Sequence, residues 1–440
     1  MSVVVLGGGI AGLSTCLNLD ERISTTLLEK ESALGGLLKT DIHKEHFFDH
    51  GPHLFFHQDP YFLEIFKKAT SHIGSVVRAA KTGQWSFQQL IEYPYSLNLF
   101  KIPDEIKTKC VSDFVNRQIE NARSQPPAAK NYEQYCRTFF GDGLTDHFMI
   151  PYAIKIWTVH PRELSTDWVG IRIILPNLQE MLRGALTGRS LGANYIKDFK
   201  YPKHGGSQSF VNGIRDLLKP NVTILPNSHV CEIDLNTKTI ALEDGRKIHY
   251  EQVVSSLPLP DLVKIIKDLP KNIIDAVAQL EWFGVLLLNY ASEEIARNDY
   301  QWIYFDQQDA CFHRIHYPSK LADSMAPEGS QSIQAEISFS KHRPLVANPD
   351  LLLERAWKEL TQLKFCNNQN LPQIAKTRRI EYAYAIMKDN RMAAVSLIKE
   401  YLDSKDFITC GRFGDWDYIW TDKVLLSGKN AAQKINKLRM

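Results

Sequence analysis

The strongest constraint on the fold sits in the stretch SVVVLGGGIAGLSTCLNL, residues 2–19. Val3 to Leu6 are apolar without alternation, as in a parallel strand covered on both faces. A glycine turn and an apolar-periodic helix follow. Gly7, Gly9 and Gly12 fill a G-x-G-x-x-G pattern. The first glycine permits the tight turn, the second lets the backbone approach a pyrophosphate, and the third lets helix and strand pack closely. The amides and dipole of the first helical turn, which contains Ala11, then hold that pyrophosphate. A second strand, TTLLEK, delivers Glu29 about 20 residues beyond Gly9, where a carboxylate takes a ribose hydroxyl pair, with Lys30 beside it. The pattern predicts dinucleotide binding. Its alternative is a glycine turn with only a packing role.

Such a unit accounts for part of a 440-residue chain, and a chain of this length normally divides into two or more domains. Two later stretches read as further pieces of the nucleotide domain. Gly205 and Gly206 precede an amphipathic helix in KYPKHGGSQSFVNGI, and short alternating strands follow from Asn221 to Pro260 with a hairpin turn at Asp244-Gly245. The third, ITCGRFGDWDYIWTDKVLLSGKNAAQKI, gives a strand, a glycine turn and a closing helix. The expected organisation is a discontinuous nucleotide domain (1–80, 198–265 and 405–440), a helical insertion at 81–197, and a strand-rich substrate domain at 266–404. The fold class is α/β, a Rossmann-like domain with a helical insertion and a mixed β-sheet domain, and the active cleft lies between them.

Gly35 and Gly36 follow the acid-bearing strand in EKESALGGLLKT, and a glycine pair lets the backbone run along a bound cofactor. This E-x5-GG arrangement resembles the FAD-binding start of the superfamily of amine oxidases, protoporphyrinogen oxidases and UDP-galactopyranose mutases. The resemblance implies FAD as cofactor, with the backbone near Val230 beside the adenine. It also implies that the last helix points its N-terminus at the flavin, where its dipole stabilises a reduced ring. Gly411, Arg412 and Asp422 would contribute there, although a capping role for Arg412 is an alternative. FFDHGPHLFFHQDPYF is similar to the histidine loop of the mutases, which puts Gly51 and His53 at the flavin. His57 is expected on the surface.

IWTVHPRELSTDWVGIRIILPN reads as a loop that turns into a largely apolar helix carrying Arg172 among Trp168, Val169, Ile171, Ile173 and Ile174. A guanidinium stays charged, and burying it alone costs several kcal/mol, so it must meet either a carboxylate of the chain or an anion of the substrate. This stretch resembles the eukaryotic-type UDP-galactopyranose mutases, where the matching arginine grips the substrate diphosphate. Arg314, in CFHRIHYPS, matches the second clamp arginine; its alternative is a solvated strand residue. Tyr384 and Tyr418 match the two phosphate-site tyrosines, or are ordinary core residues. Tyr93 and Tyr95, in IEYPYSLNLF, match the aromatic positions that hold the base. The chain departs from the mutase pattern at Pro52, Ser96 and Ala153, where that pattern has glycine, glutamine and asparagine, and after Tyr418, where an N-Q-D run is reduced to Asp422 in IWTD.

What the resemblance implies is an isomerisation of a nucleotide-diphosphate sugar between pyranose and furanose forms. It would run through reduced flavin N5 with no net redox, with NAD(P)H as a candidate reductant. The rival is an FAD-dependent oxidoreductase in which Trp282, Trp302, Tyr304, Tyr93 and Tyr384 cage a small substrate. A third reading is a binding protein with a structural flavin. No catalytic side-chain set beyond His53, and no metal, is expected. A net charge of +2 gives no reason to expect nucleic acid or a membrane surface as partner. The seven scattered cysteines lack a C-x-x-C pair, and no apolar run reaches the roughly 18 residues of a membrane span. The segment MSVVVLGGG lacks a basic secretory n-region. A cytoplasmic enzyme is therefore expected, with its oligomeric state left open.

Overall fold

The computed structural model describes residues 1–189, 196–306 and 310–438. A five-stranded parallel sheet is ordered Phe407–Thr409, Gln252–Ser255, Ser2–Leu6, Ser24–Leu28, Val222–Leu225. Its strands come from three separate stretches of sequence. Val3 to Leu6 are fully buried, which explains their unbroken apolar run. Helix Ile10–Asn18 packs against the closing helix Thr421–Lys437. Glycine makes this approach possible: a Cβ on Gly428 would lie 2.2 Å from the Ala11 carbonyl oxygen, and one on Gly12 would lie 2.0 Å from that of Gly7. A three-stranded antiparallel sheet, Val230–Asp234, Thr239–Leu242 and Lys247–His249, flanks the unit, with its hairpin turned at Gly245 (φ +88°).

A second large sheet has seven strands in the order Ile374–Ala385, Trp282–Ser292, Gln331–Phe339, Arg314–His316, Trp302–Phe305, Thr82–Ser86, Gln89–Glu92. All neighbours are antiparallel except Trp302–Phe305 beside Thr82–Ser86. Strands Thr82–Ser86 and Gln89–Glu92 were expected within the helical insertion, yet they complete this sheet. They are short, and a single edge hairpin carries little periodicity of its own. Helices Asp104–Arg123, Tyr132–Leu144 and Ile150–Trp157 follow this hairpin, the last two joined by a π-helical turn at Thr145–Met149.

The apolar helix expected around Arg172 does not form. Two 3-10 turns, Pro161–Glu163 and Gly170–Arg172, take its place, and the next helix starts only at Leu178, capped reciprocally by Asn177 and Glu180. Gly170 adopts φ +38°, a value that breaks a helix, and Pro176 closes the segment. Trp168, Ile173 and Ile174 line a cavity instead of forming a helical stripe. Among the described residues, no helix is long and apolar enough to cross a membrane, and no cluster of potential metal ligands occurs. All seven cysteines are free.

Candidate active site

A groove of about 790 Å³ opens at the carboxyl ends of strands Ser2–Leu6 and Ser24–Leu28, a size and position typical of nucleotide sites. Gly7, Gly9 and Ala11 form its floor, Glu29 and Lys30 one wall, and Gly35 and Gly36 another. Glu29 is 8% exposed; its Oε2 accepts from the Gly8 amide at 2.7 Å and its Oε1 from the Glu31 amide at 3.0 Å. The Gly35 amide donates to the Gly8 carbonyl oxygen at 2.9 Å, so the glycine pair is latched onto the first turn. Both glycines hold positive φ, +135° and +55°. Helix Ile10–Asn18 has no side-chain cap, which leaves its first amides for a ligand. Val230, Gly411 and Arg412 also line it. The uncapped helix, the glycine floor and the acidic wall fit FAD.

A second cavity, of about 250 Å³, meets this groove: His53, Arg412 and Thr421 line both. Its wall is aromatic. Tyr384 stacks on Phe283 with centroids 4.9 Å apart, and Tyr418 stands edge-on to Tyr384 at 5.4 Å and to Trp157 at 5.5 Å. Tyr95, fully buried, stacks on Phe148 at 4.9 Å, and Tyr93 lies 5.7 Å from Tyr304. Pro52, Ser96 and Ala153 also line this cavity, so three of the four departures from the mutase pattern gather in it and Asp422 does not.

Three arginines reach the cavity, and their charges are met differently. Arg172 lies between the Tyr418 and Trp420 rings, 4.3 Å from each centroid. It donates to the Trp168 carbonyl oxygen at 2.9 Å and to that of Tyr418, and its buried Nε has no partner. Arg412 lies over Tyr384 at 4.4 Å and donates to the Ile419 carbonyl oxygen at 3.3 Å; its Nε and Nη2 are buried without partners. Neither meets a carboxylate among the described residues. Arg314 is the opposite case. Its Nε and Nη2 donate to Glu336 Oε1 and Oε2, each at 2.8 Å, across adjacent strands, and Glu336 is 2% exposed. Arg314 is thus neither a solvated strand residue nor an unpaired cation. Faces of aromatic rings offset part of the cost of the two unpaired guanidiniums, by about 0.5–2 kcal/mol each. An anion would supply the rest.

Protonation follows burial. The His53 imidazole is held down to about 4 by desolvation, with the nearby Arg412 and His50 adding to the effect against Asp49, and its Nε2 is buried without a partner. It is neutral near pH 7. Burial and the Tyr384 phenol push the Tyr418 hydroxyl up to about 12 against the pull of Arg172 and Arg412. Burial likewise raises Tyr93 and Tyr152. These phenols keep their protons and can donate them in hydrogen bonds.

Several expectations need correction. Asp422 lines neither cavity; it is buried, its Oδ1 3.3 Å from His57 Nδ1. His57 is 8% exposed and packed between Phe56 and Trp420, because Trp420 folds back over the histidine loop. Gly51 lies off the groove, and Gly12 acts behind it through packing. Trp282 does not line the cavity: it stacks at 4.9 Å on Tyr382, which lines the cofactor groove. Sequence reasoning missed Tyr152, Trp157, Phe148 and Trp420 in the cavity wall. The π-helical turn carries Phe148, and a residue inserted into a helical repeat shifts the face that follows, which no local periodicity reports.

The chain matches the family model of flavin containing amine oxidoreductases over residues 10–436. It is similar to a reduced UDP-galactopyranose mutase structure at 24% identity, with a TM-score of 0.91 over 99% of this chain and 96% of that one. It is also similar to a protoporphyrinogen oxidase candidate from Exiguobacterium sp. 255-15 (16% identity, TM-score 0.76, 100% and 99% covered). A putrescine oxidase bound to putrescine shares 14% identity at a TM-score of 0.63, with 99% of each chain covered. These identities establish a common fold. The family match spans nearly the whole chain, and its hallmark groove is present here: the chain belongs to the flavin containing amine oxidoreductases and is an FAD-dependent enzyme.

Proposed function

We propose that this flavoenzyme rearranges a nucleotide-diphosphate sugar, interconverting pyranose and furanose rings without net redox. The observation that carries the reading is the pair Arg172 and Arg412, two guanidiniums without carboxylate partners among the described residues, in a cavity that meets the cofactor groove. A leaving diphosphate brings the charge that both lack, and stabilising that charge as it develops is what accelerates the departure. Tyr384 and Tyr418 donate to phosphate oxygens. Glu336 occupies Nε and Nη2 of Arg314, which leaves Nη1 for the ligand and holds the planar fork in one orientation. Reduced flavin, when bound, supplies a nucleophilic nitrogen for such a rearrangement. The aromatic wall excludes water from the sugar while it is displaced. The similarity to a reduced UDP-galactopyranose mutase supports this reading.

A second reading, oxidation of a small substrate, is favoured by the cavity's volume of about 250 Å³, below the range usual for drug-sized ligands. Arg172 would then take a substrate carboxylate, with Trp302, Tyr304, Tyr93 and Tyr384 around its carbon skeleton. One experiment separates the two. Dithionite-reduced holoenzyme is melted with nucleoside diphosphates and nucleotide sugars, and a true ligand at a hundred times its Kd adds about 2.7 kcal/mol of stability. No stabilisation, together with substrate-dependent oxygen uptake by oxidised enzyme, overturns the mutase reading.

A further inference from the structure

Resting on the diphosphate reading of the cavity, we infer that Arg391 and Asp167, neither of which lines it, are positioning residues that set the spacing of Arg172 and Tyr418. Arg391 opens helix Arg391–Asp403 and is 3% exposed. Its Nη1 donates to the Trp416 carbonyl oxygen at 2.8 Å, and its Nη2 donates to Asp167 Oδ2. Asp167 Oδ1 accepts from the Ser165 hydroxyl, and the Ser165 amide donates to the Met387 carbonyl oxygen at 2.6 Å. One buried guanidinium therefore joins the segment 165–172, which carries Trp168 and Arg172, to the segment 416–420, which carries Tyr418 and Trp420. The Met387 contact ties both to the end of the strand that carries Tyr384.

These segments have little regular structure to hold them. The first is a run of turns ending at Gly170–Arg172, and residues 416–420 form an irregular link before the last helix. Arg172 spans the same gap from the cavity side, donating to the Tyr418 carbonyl oxygen. The two arginines thus bridge the same pair of segments, Arg391 from behind and Arg172 from within. If the outer bridge is cut, the inner one must hold the gap itself, and its guanidinium turns away from the ligand.

Asp167 is 41% exposed, and Asp167→Asn preserves its shape, so this variant tests the bridge without opening the core. The measurement is inorganic pyrophosphate affinity of the reduced holoenzyme in a double-mutant cycle with Arg172→Ala. Asp167→Asn is expected to weaken binding about 10-fold when Arg172 is present and less than about 2-fold when it is alanine, because coupled residues are non-additive. Equal weakening in both backgrounds overturns the inference, as does no weakening in either. Hydrogen exchange, which needs no ligand, is read in parallel: exchange in segments 165–172 and 416–420 should rise together in Asp167→Asn. Unchanged exchange in both segments overturns the bridge. If wild-type enzyme ignores pyrophosphate, the diphosphate reading fails, and the exchange result alone decides the bridge.

Discussion

The groove and the cavity touch at His53, Arg412 and Thr421 but are built from different material. The groove is made mostly of backbone: strand ends, uncapped helix amides, and glycines where a Cβ would collide. The cavity is made of side chains from segments scattered along the chain, with rings set against rings and charges met or left unmet by distant partners. A backbone site tolerates little change and recognises what its cofactor shares with all dinucleotides. A side-chain site can be rebuilt one residue at a time, as Pro52, Ser96 and Ala153 illustrate.

Four experiments break or sharpen this contrast. The largest effect is expected from Gly12→Val, whose Cβ would lie 2.0 Å from the Gly7 carbonyl oxygen. The purified variant should be colourless and fail to take up added FAD, as absorbance at the flavin bands would report; a yellow, flavin-loaded variant would break the backbone account of the groove. Glu336→Gln removes one partner of a buried pair, which costs about 3–5 kcal/mol. Denaturant melts should register that loss with flavin content per folded molecule unchanged. Arg172→Ala should leave flavin content near wild type and weaken nucleoside diphosphate binding about 100-fold, the worth of two charged hydrogen bonds at about 1.5 kcal/mol each. Calorimetry with reduced enzyme measures it, and unchanged affinity would remove Arg172 from any anion site.

The smallest effect concerns the junction. His53 has its folded-state value depressed to about 4 from the ordinary 6.5, so the unfolded chain binds more protons between those values. Stability is then complete above pH 6.5 and falls as the pH drops toward 4, with about 2 kcal/mol lost by pH 5. His53→Gln should flatten that part of the profile in thermal melts taken between pH 4 and 7. An identical slope in both proteins would show that the imidazole is not held neutral by the junction.

The nucleotide domain was legible because each of its signals is local. Gly7, Gly9 and Gly12 lie within six residues, Glu29 ends the next strand, and the Gly35–Gly36 pair follows at once. The cavity was legible only in outline. The individual arginines and tyrosines could be picked out, and most do gather there, but their states could not be read. Arg314 meets Glu336 22 residues later across two strands, a pairing set by register. Arg412, expected at the cofactor, is shared with the cavity. His57 was mistaken for a surface residue because Trp420, 363 positions away, covers it. The helix expected at Arg172 failed on Gly170, whose positive φ has no signal beyond the glycine itself.

The amino-acid order by itself determined the parallel sheet, its glycine turns and the dinucleotide groove, because those depend on covalently close residues and on the absence of side chains. Only the tertiary structure decided that Arg314 is neutralised while Arg172 and Arg412 are not. Arg172 reaches the Tyr418 carbonyl oxygen from 246 residues away. Whether a charge is met or left open depends on which distant segments share a dielectric pocket, and chain packing alone decides that.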